Sequence, residues 1–137
     1  MQRAEDIKIL LVADEPNILE FLEMGLKYEG FTVRIAQNEK KALKIAKPFQ
    51  PHVVLIDLVG LKVGDSNLSS SLKRIGETAI IFLTEKDEIN DAVNSLLEAD
   101  DYLAKPFSFE GLLARINYKI NEQFPHLLDG SDTQEIV

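Results

Sequence analysis

Residues 7–16 read Ile7-Lys8-Ile9-Leu10-Leu11-Val12-Ala13-Asp14-Glu15-Pro16, an almost unbroken apolar run that ends on two acids and a proline. A run this short, without polar alternation, fits a strand covered on both faces, as in a parallel sheet. Pro16 then falls where a following helix tolerates proline best, in its first turn. The same kind of run recurs at residues 31–36, 52–57, 79–83 and 102–104. Five short strands are therefore expected.

Between the runs the apolar period changes to that of a helix. The first such segment places Ile18, Phe21, Leu22, Gly25 and Leu26 on one face and stops at Gly30. In the second, Ala42, Ile45 and Ala46 follow an Asn38 suited to capping, and the segment is expected to end before Pro48. A third around Leu68, Leu72 and Ile75 is interrupted by Ser69-Ser70-Ser71. The fourth aligns Ile89, Ala92, Val93, Leu96 and Leu97 behind Asp87, and the fifth aligns Phe109, Leu112, Leu113, Ile116 and Ile120 behind Ser108. Five strands alternating with five helices imply right-handed crossovers and an α/β, flavodoxin-like (βα)5 doubly wound parallel sheet with strand order 2-1-3-4-5. In that arrangement ligands sit beyond the carboxyl ends of the strands, where strands 1 and 3 diverge.

A chain of 137 residues is one domain's worth and can bury a core without metal or disulfide staples. The folded unit is expected over residues 1–121. Residues 122–137 lose apolar periodicity and gain Pro125, Gly130 and Ser131, as a linker or tail would. A formal charge of -8, from 23 acids against 15 Lys and Arg, argues against nucleic-acid binding by this domain. There is no cysteine, no apolar stretch long enough to span a bilayer and no leader-like apolar segment, so a cytoplasmic protein is expected. His52 and His126 read as surface residues. Lys40, Lys41, Lys44 and Lys47 read as a solvated helix face.

The expected topology delivers Asp14, with Glu15 beside it, Asp57, Thr84 and Lys105 to one edge of the sheet, from the ends of strands 1, 3, 4 and 5. Any one of these could be an ordinary solvated strand end. Together, two carboxylates, a hydroxyl and an ammonium suit a hard cation and a phosphoryl group, and a carboxylate can attack phosphorus to give an acyl phosphate.

The four stretches Ile9-Leu10-Leu11-Val12-Ala13-Asp14-Glu15-Pro16-Asn17-Ile18, Val54-Leu55-Ile56-Asp57-Leu58, Phe82-Leu83-Thr84 and Asp100-Asp101-Tyr102-Leu103-Ala104-Lys105-Pro106-Phe107 resemble, in order and spacing, the receiver domains of two-component response regulators. The likeness runs from about Ile7 to Ile120. It implies that Asp57 is the phosphoacceptor for a sensor histidine kinase, that Asp14, Asp57 and the backbone carbonyl of Val59 hold Mg2+, and that Thr84 and Lys105 bind the phosphoryl oxygens. Tyr102 would be the aromatic switch that turns inward as Thr84 moves, and the Lys105-Pro106 bond would be cis. The domain would control an output domain, expected to bind DNA, and would be no enzyme beyond assisting its own phosphorylation and dephosphorylation. The stretch from Phe107 to Ile116 is most like receivers of winged-helix (OmpR/PhoB-type) transcription regulators. Those dimerise through helix 4, strand 5 and helix 5, and Asp101 with Arg115 matches one of their cross-subunit ion pairs.

Three departures stand against the family pattern. Ala13 replaces the first acid of an acidic pair, which should weaken Mg2+ binding, because fewer anionic ligands hold a cation less tightly. The segment Val59-Gly60-Leu61-Lys62-Val63-Gly64-Asp65 lacks the usual proline after the acceptor, and Glu98 stands where glycine is common. On the dimer face Asp91 and Gly111 replace a basic residue and a glutamate. These features motivate an alternative, an atypical receiver acting as a phosphorylation-independent protein-interaction module. The same topology also hosts flavin sites, but Asp14-Glu15-Pro16 after strand 1 would repel a phosphate rather than cradle it.

Overall fold

A computed structural model of the chain describes residues 7–57, 68–85 and 100–125. Five parallel strands, β1 (Lys8–Val12), β2 (Thr32–Ala36), β3 (Val53–Asp57), β4 (Ala79–Glu85) and β5 (Asp101–Lys105), form one sheet in the order β2-β1-β3-β4-β5. All four pairings are parallel, with Val12 level with Ile56, Asp57 with Leu83, and Leu83 with Leu103. This is the doubly wound sheet expected from the sequence. The expected fourth helix, Val59 and its loop, Asp91, Glu98 and the tail from His126 lie outside the described residues.

The central strands read as continuous apolar runs because both of their faces are covered. Ile9, Leu11, Val53, Leu55, Ile81 and Leu83 pack against α1 (Pro16–Tyr28) and the C-terminal helix (Phe109–Gln123). Their alternates Leu10, Val12, Val54, Ile56, Ile80 and Phe82 pack against α2 (Glu39–Phe49) and α3 (Leu68–Ile75). Each of these side chains is fully buried, so truncating one to alanine should cost about 2–5 kcal/mol.

Local signals set the helix ends. Glu15 caps α1 by accepting from the backbone N–H groups of Asn17 and Ile18, each at 3.0 Å, and Pro16 follows at the first helical position. Gly30, at φ 99°, supplies the left-handed turn that returns the chain to β2. Asn38 caps α2 and Ser108 caps the C-terminal helix, as expected.

Four expectations need correction. The buried stripe of α1 is Leu19, Leu22 and Leu26, while Phe21 is 52% exposed. α2 runs through Pro48 rather than stopping before it. Pro48 is exposed in the last turn, and the helix ends instead at Gln50, whose N–H donates to Ala46 O at 2.8 Å in a left-handed conformation. His52 is half-buried, with its Nδ1 accepting from Lys8 N at 2.9 Å and its ring edge-on to Phe124. Phe124 is itself buried, so packing against the core continues past residue 121. Lys40, Lys41, Lys44 and Lys47 are all exposed, as a solvated face requires.

Candidate functional site

Strand alternation sorts the rim residues between the two faces. Asp57 follows Leu55 by two positions and shares its face, toward α1 and the C-terminal helix. Lys105 follows Leu103 and shares that face too. Asp57 ends β3 and Lys105 ends β5, two strands away, about 10 Å across the sheet, a span a lysine side chain reaches when it lies back over β4. Its Nζ meets Asp57 Oδ1 at 2.8 Å. Asp57 is only 3% exposed. A buried carboxylate is tolerated when a cation and hydrogen bonds compensate it, so this contact offsets part of the cost of burying the Asp57 side chain.

Register gives the positions of the other rim residues. Ala13 follows Val12 as Asp57 follows Ile56, so the two stand level, with Ala13 fully buried and its N–H bonded to Ala36 O at 3.1 Å. Asp14 comes next and is exposed. Thr84 lies one residue beyond Leu83, the residue level with Asp57, and is fully buried. It shares the opposite face with Phe82 and with Tyr102, whose ring stacks on Phe82 at 5.8 Å. Burial pushes the Tyr102 phenol above its ordinary value of 10.0. The Lys105-Pro106 bond is cis.

Glu15 is committed elsewhere, since both of its carboxylate oxygens cap α1. Among the described residues, Asp14 and Asp57 stand at the rim with their carboxylates not committed to a helix cap, and no three His, Cys, Asp or Glu gather into a metal-binding group. Mg2+ is commonly held by one or two carboxylates together with waters and phosphate oxygens, so this donor set fits Mg2+.

Arg115 Nη1 contacts both oxygens of Asp101 at 2.7 Å within one chain. The residues expected to pair across a dimer thus have each other as partners inside the protomer. Two contributors escaped the sequence reading. Phe82 could have been found from its place two residues before Thr84, hence on the same face of the strand. Asp100 gathers Lys73 Nζ, Ile80 N and Gln123 Nε2 at 2.6, 2.7 and 3.0 Å, joining α3, β4 and the C-terminal helix, and nothing local in sequence marks those partners.

Similarity to known proteins follows the same lines. The response regulator receiver domain model matches residues 9–117. The transcriptional regulatory protein TrcR of Mycobacterium tuberculosis is 36% identical over 115 residues, covering 80% of this chain and 44% of that protein. The response regulator ArlR of Staphylococcus saprophyticus is 35% identical over 117 residues, covering 85% of this chain and 53% of that protein. The chain thus spans about half the length of the curated relatives it matches. A solved response regulator protein from Burkholderia pseudomallei, with a phosphorylated aspartic acid, a calcium ion and citrate, aligns at a TM-score of 0.67 and 32% identity, covering 80% of this chain and 65% of that one. Among the described residues no helix is long and apolar enough to cross a membrane. With the sheet order, the buried Asp57–Lys105 pair and these relatives in agreement, the chain belongs to the response regulator receiver family, alongside the receivers of OmpR/PhoB-type transcriptional regulators.

Proposed function

We propose that Asp57 accepts a phosphoryl group from a sensor histidine kinase and that the resulting change is passed to an output domain that regulates transcription. The observation that carries this reading is the 2.8 Å contact between the buried Asp57 carboxylate and Lys105. In phosphoryl transfer the protein acts mainly by positioning and by charge stabilisation. A carboxylate oxygen of Asp57 attacks phosphorus, the bond from phosphorus to the donor nitrogen breaks, and that nitrogen takes a proton from water. Lys105 then turns from the carboxylate to the new phosphoryl oxygens, its positive charge offsetting theirs at short range. Thr84 offers a hydroxyl to the same oxygens from the end of β4. The aspartyl phosphate in the Burkholderia relative supports an aspartate as the acceptor in this fold.

Receiver domains as a family take Mg2+ for phosphorylation, and here Asp14, Asp57 and the carbonyl of Val59 would hold it. When bound, the ion neutralises charge on the phosphoryl group. Ala13 withholds a carboxylate from that set, which makes its hold weaker. Tyr102, on the Thr84 face of the sheet, is the residue that would report the change to the surface. Dimerisation through the fifth strand and the C-terminal helix would require Asp101 and Arg115 to exchange their contact within the chain for one between chains. Residues 122–137 would act as the linker to the output domain or as a tail.

Incubation with acetyl phosphate and Mg2+ followed by intact mass spectrometry should show one added phosphoryl group, absent in Asp57→Ala. A parent chain that takes no phosphoryl at saturating acetyl phosphate and Mg2+ sinks the reading and leaves the interaction-module alternative, which no contact in the site favours.

A further inference from the structure

Tyr102 and Phe82 are directly opposed across β4 and β5. Their rings stack at a centroid distance of 5.8 Å and an interplanar angle of 23°. Phe82 is fully buried and Tyr102 is half-buried. Two residues along each strand, on the same face, Thr84 is opposed to Ala104. The ring of Tyr102 therefore has two neighbouring seats. One lies over Phe82, where the ring is found. The other lies forward over the Ala104 methyl, beside Thr84.

We propose that Phe82 is a positioning residue for signalling, holding Tyr102 in its resting seat and so setting how strongly a change at Asp57 and Thr84 must act to move it. The inference rests on Tyr102 being the switch. Offset aromatic pairs are worth more than their buried area alone, enough to bias two otherwise equal seats by about twofold to tenfold. Phe82 touches no reacting atom. It stands on the face of the sheet opposite Asp57, so replacing it should leave phosphoryl acceptance unchanged while moving the balance of Tyr102.

The remaining tyrosines among the described residues, Tyr28 and Tyr118, are 88% and 60% exposed and can be changed to phenylalanine, leaving Tyr102 as a single probe. In that background, 3-fluorotyrosine incorporation gives one fluorine resonance, recorded before and after acetyl phosphate and Mg2+, with intact mass reporting the phosphoryl group. Phe82→Leu and Phe82→Met are compared with the parent. Methionine keeps most of the volume if leucine loosens the core, and near-ultraviolet circular dichroism checks the packing of each. The expected result is that the unphosphorylated variants resonate part of the way toward the phosphorylated parent, corresponding to an approximately twofold to tenfold change in population, with the extent of phosphorylation unaltered. If the parent is phosphorylated and folded Phe82 variants resonate at its resting position, Phe82 has no positioning role while the proposed function stands. If the parent takes no phosphoryl group, the proposed function falls and this inference falls with it.

Discussion

Ala13 shows how much a single side chain can alter in this pocket. It is fully buried and level with Asp57, so an aspartate there would bring a second desolvated carboxylate beside the first. Without metal that arrangement costs stability through repulsion and desolvation, and with Mg2+ the same charge becomes a ligand. Ala13→Asp is therefore expected to lower stability by about 1–3 kcal/mol in chelator, measured by urea unfolding. The same change should tighten Mg2+ binding on the order of tenfold in calorimetric titration. An unchanged Mg2+ affinity would mean that residue 13 does not face the metal. Tyr102 supplies the pH dependence at this scale. Burial raises its phenol above 10.0, so the fold favours the neutral ring. That contribution is fully present below pH 10 and is lost as pH rises through the folded value. Tyr102→Phe should abolish this part of the alkaline loss of stability. Melting curves of the two proteins from pH 9 to 11.5 that run parallel would contradict it.

At the scale of elements, α1 and the C-terminal helix are fitted to each other through one glycine. A Cβ on Gly25 would stand 2.6 Å from Cε1 of Phe109, whose ring also packs edge-on against Phe21 at 6.0 Å. In an exposed helix, glycine to alanine gains about 1 kcal/mol from propensity. Here overpacking should outweigh that gain, and Gly25→Ala is expected to be destabilising by a net of about 1–2 kcal/mol. Adding Phe109→Leu to Gly25→Ala should recover part of the loss, and thermal melts of the singles and the double decide it. Sequence periodicity read Gly25 as part of an apolar face, correctly, yet it could not reveal which ring occupies the space above it. Likewise the end of α2 lies beyond the proline that the local sequence marks. The penalty of a proline is local and visible, whereas Gln50 ends the helix through its own backbone conformation and through side-chain contacts to Lys47 O and to Ile75 O in α3.

At the scale of the whole molecule, Phe124 ties the end of the described chain to the core. Its ring is buried and meets His52 at 5.1 Å, edge-on. Phe124→Ala should cost about 3–5 kcal/mol of unfolding free energy in urea, as for other buried aromatic rings. A loss below half a kcal/mol would instead return residues beyond 121 to the tail. The strand order, the caps at Asn38 and Ser108, and the gathering of Asp57 and Lys105 were all legible beforehand, because each follows from local chemistry or from alternating β and α segments. Parallel strands deliver their last residues to one rim whatever lies in the core. The assignment of Phe124 to the core, the stack of Phe82 on Tyr102, and the joining of α3, β4 and the C-terminal helix by Asp100 were decided only in three dimensions. Arg115 and Asp101, expected as partners between chains, likewise met inside one. These are contacts between residues far apart in the chain, whose formation depends on the relative placement of finished elements. Residue type and period fix which face a side chain takes, but the neighbour it finds there is set by packing.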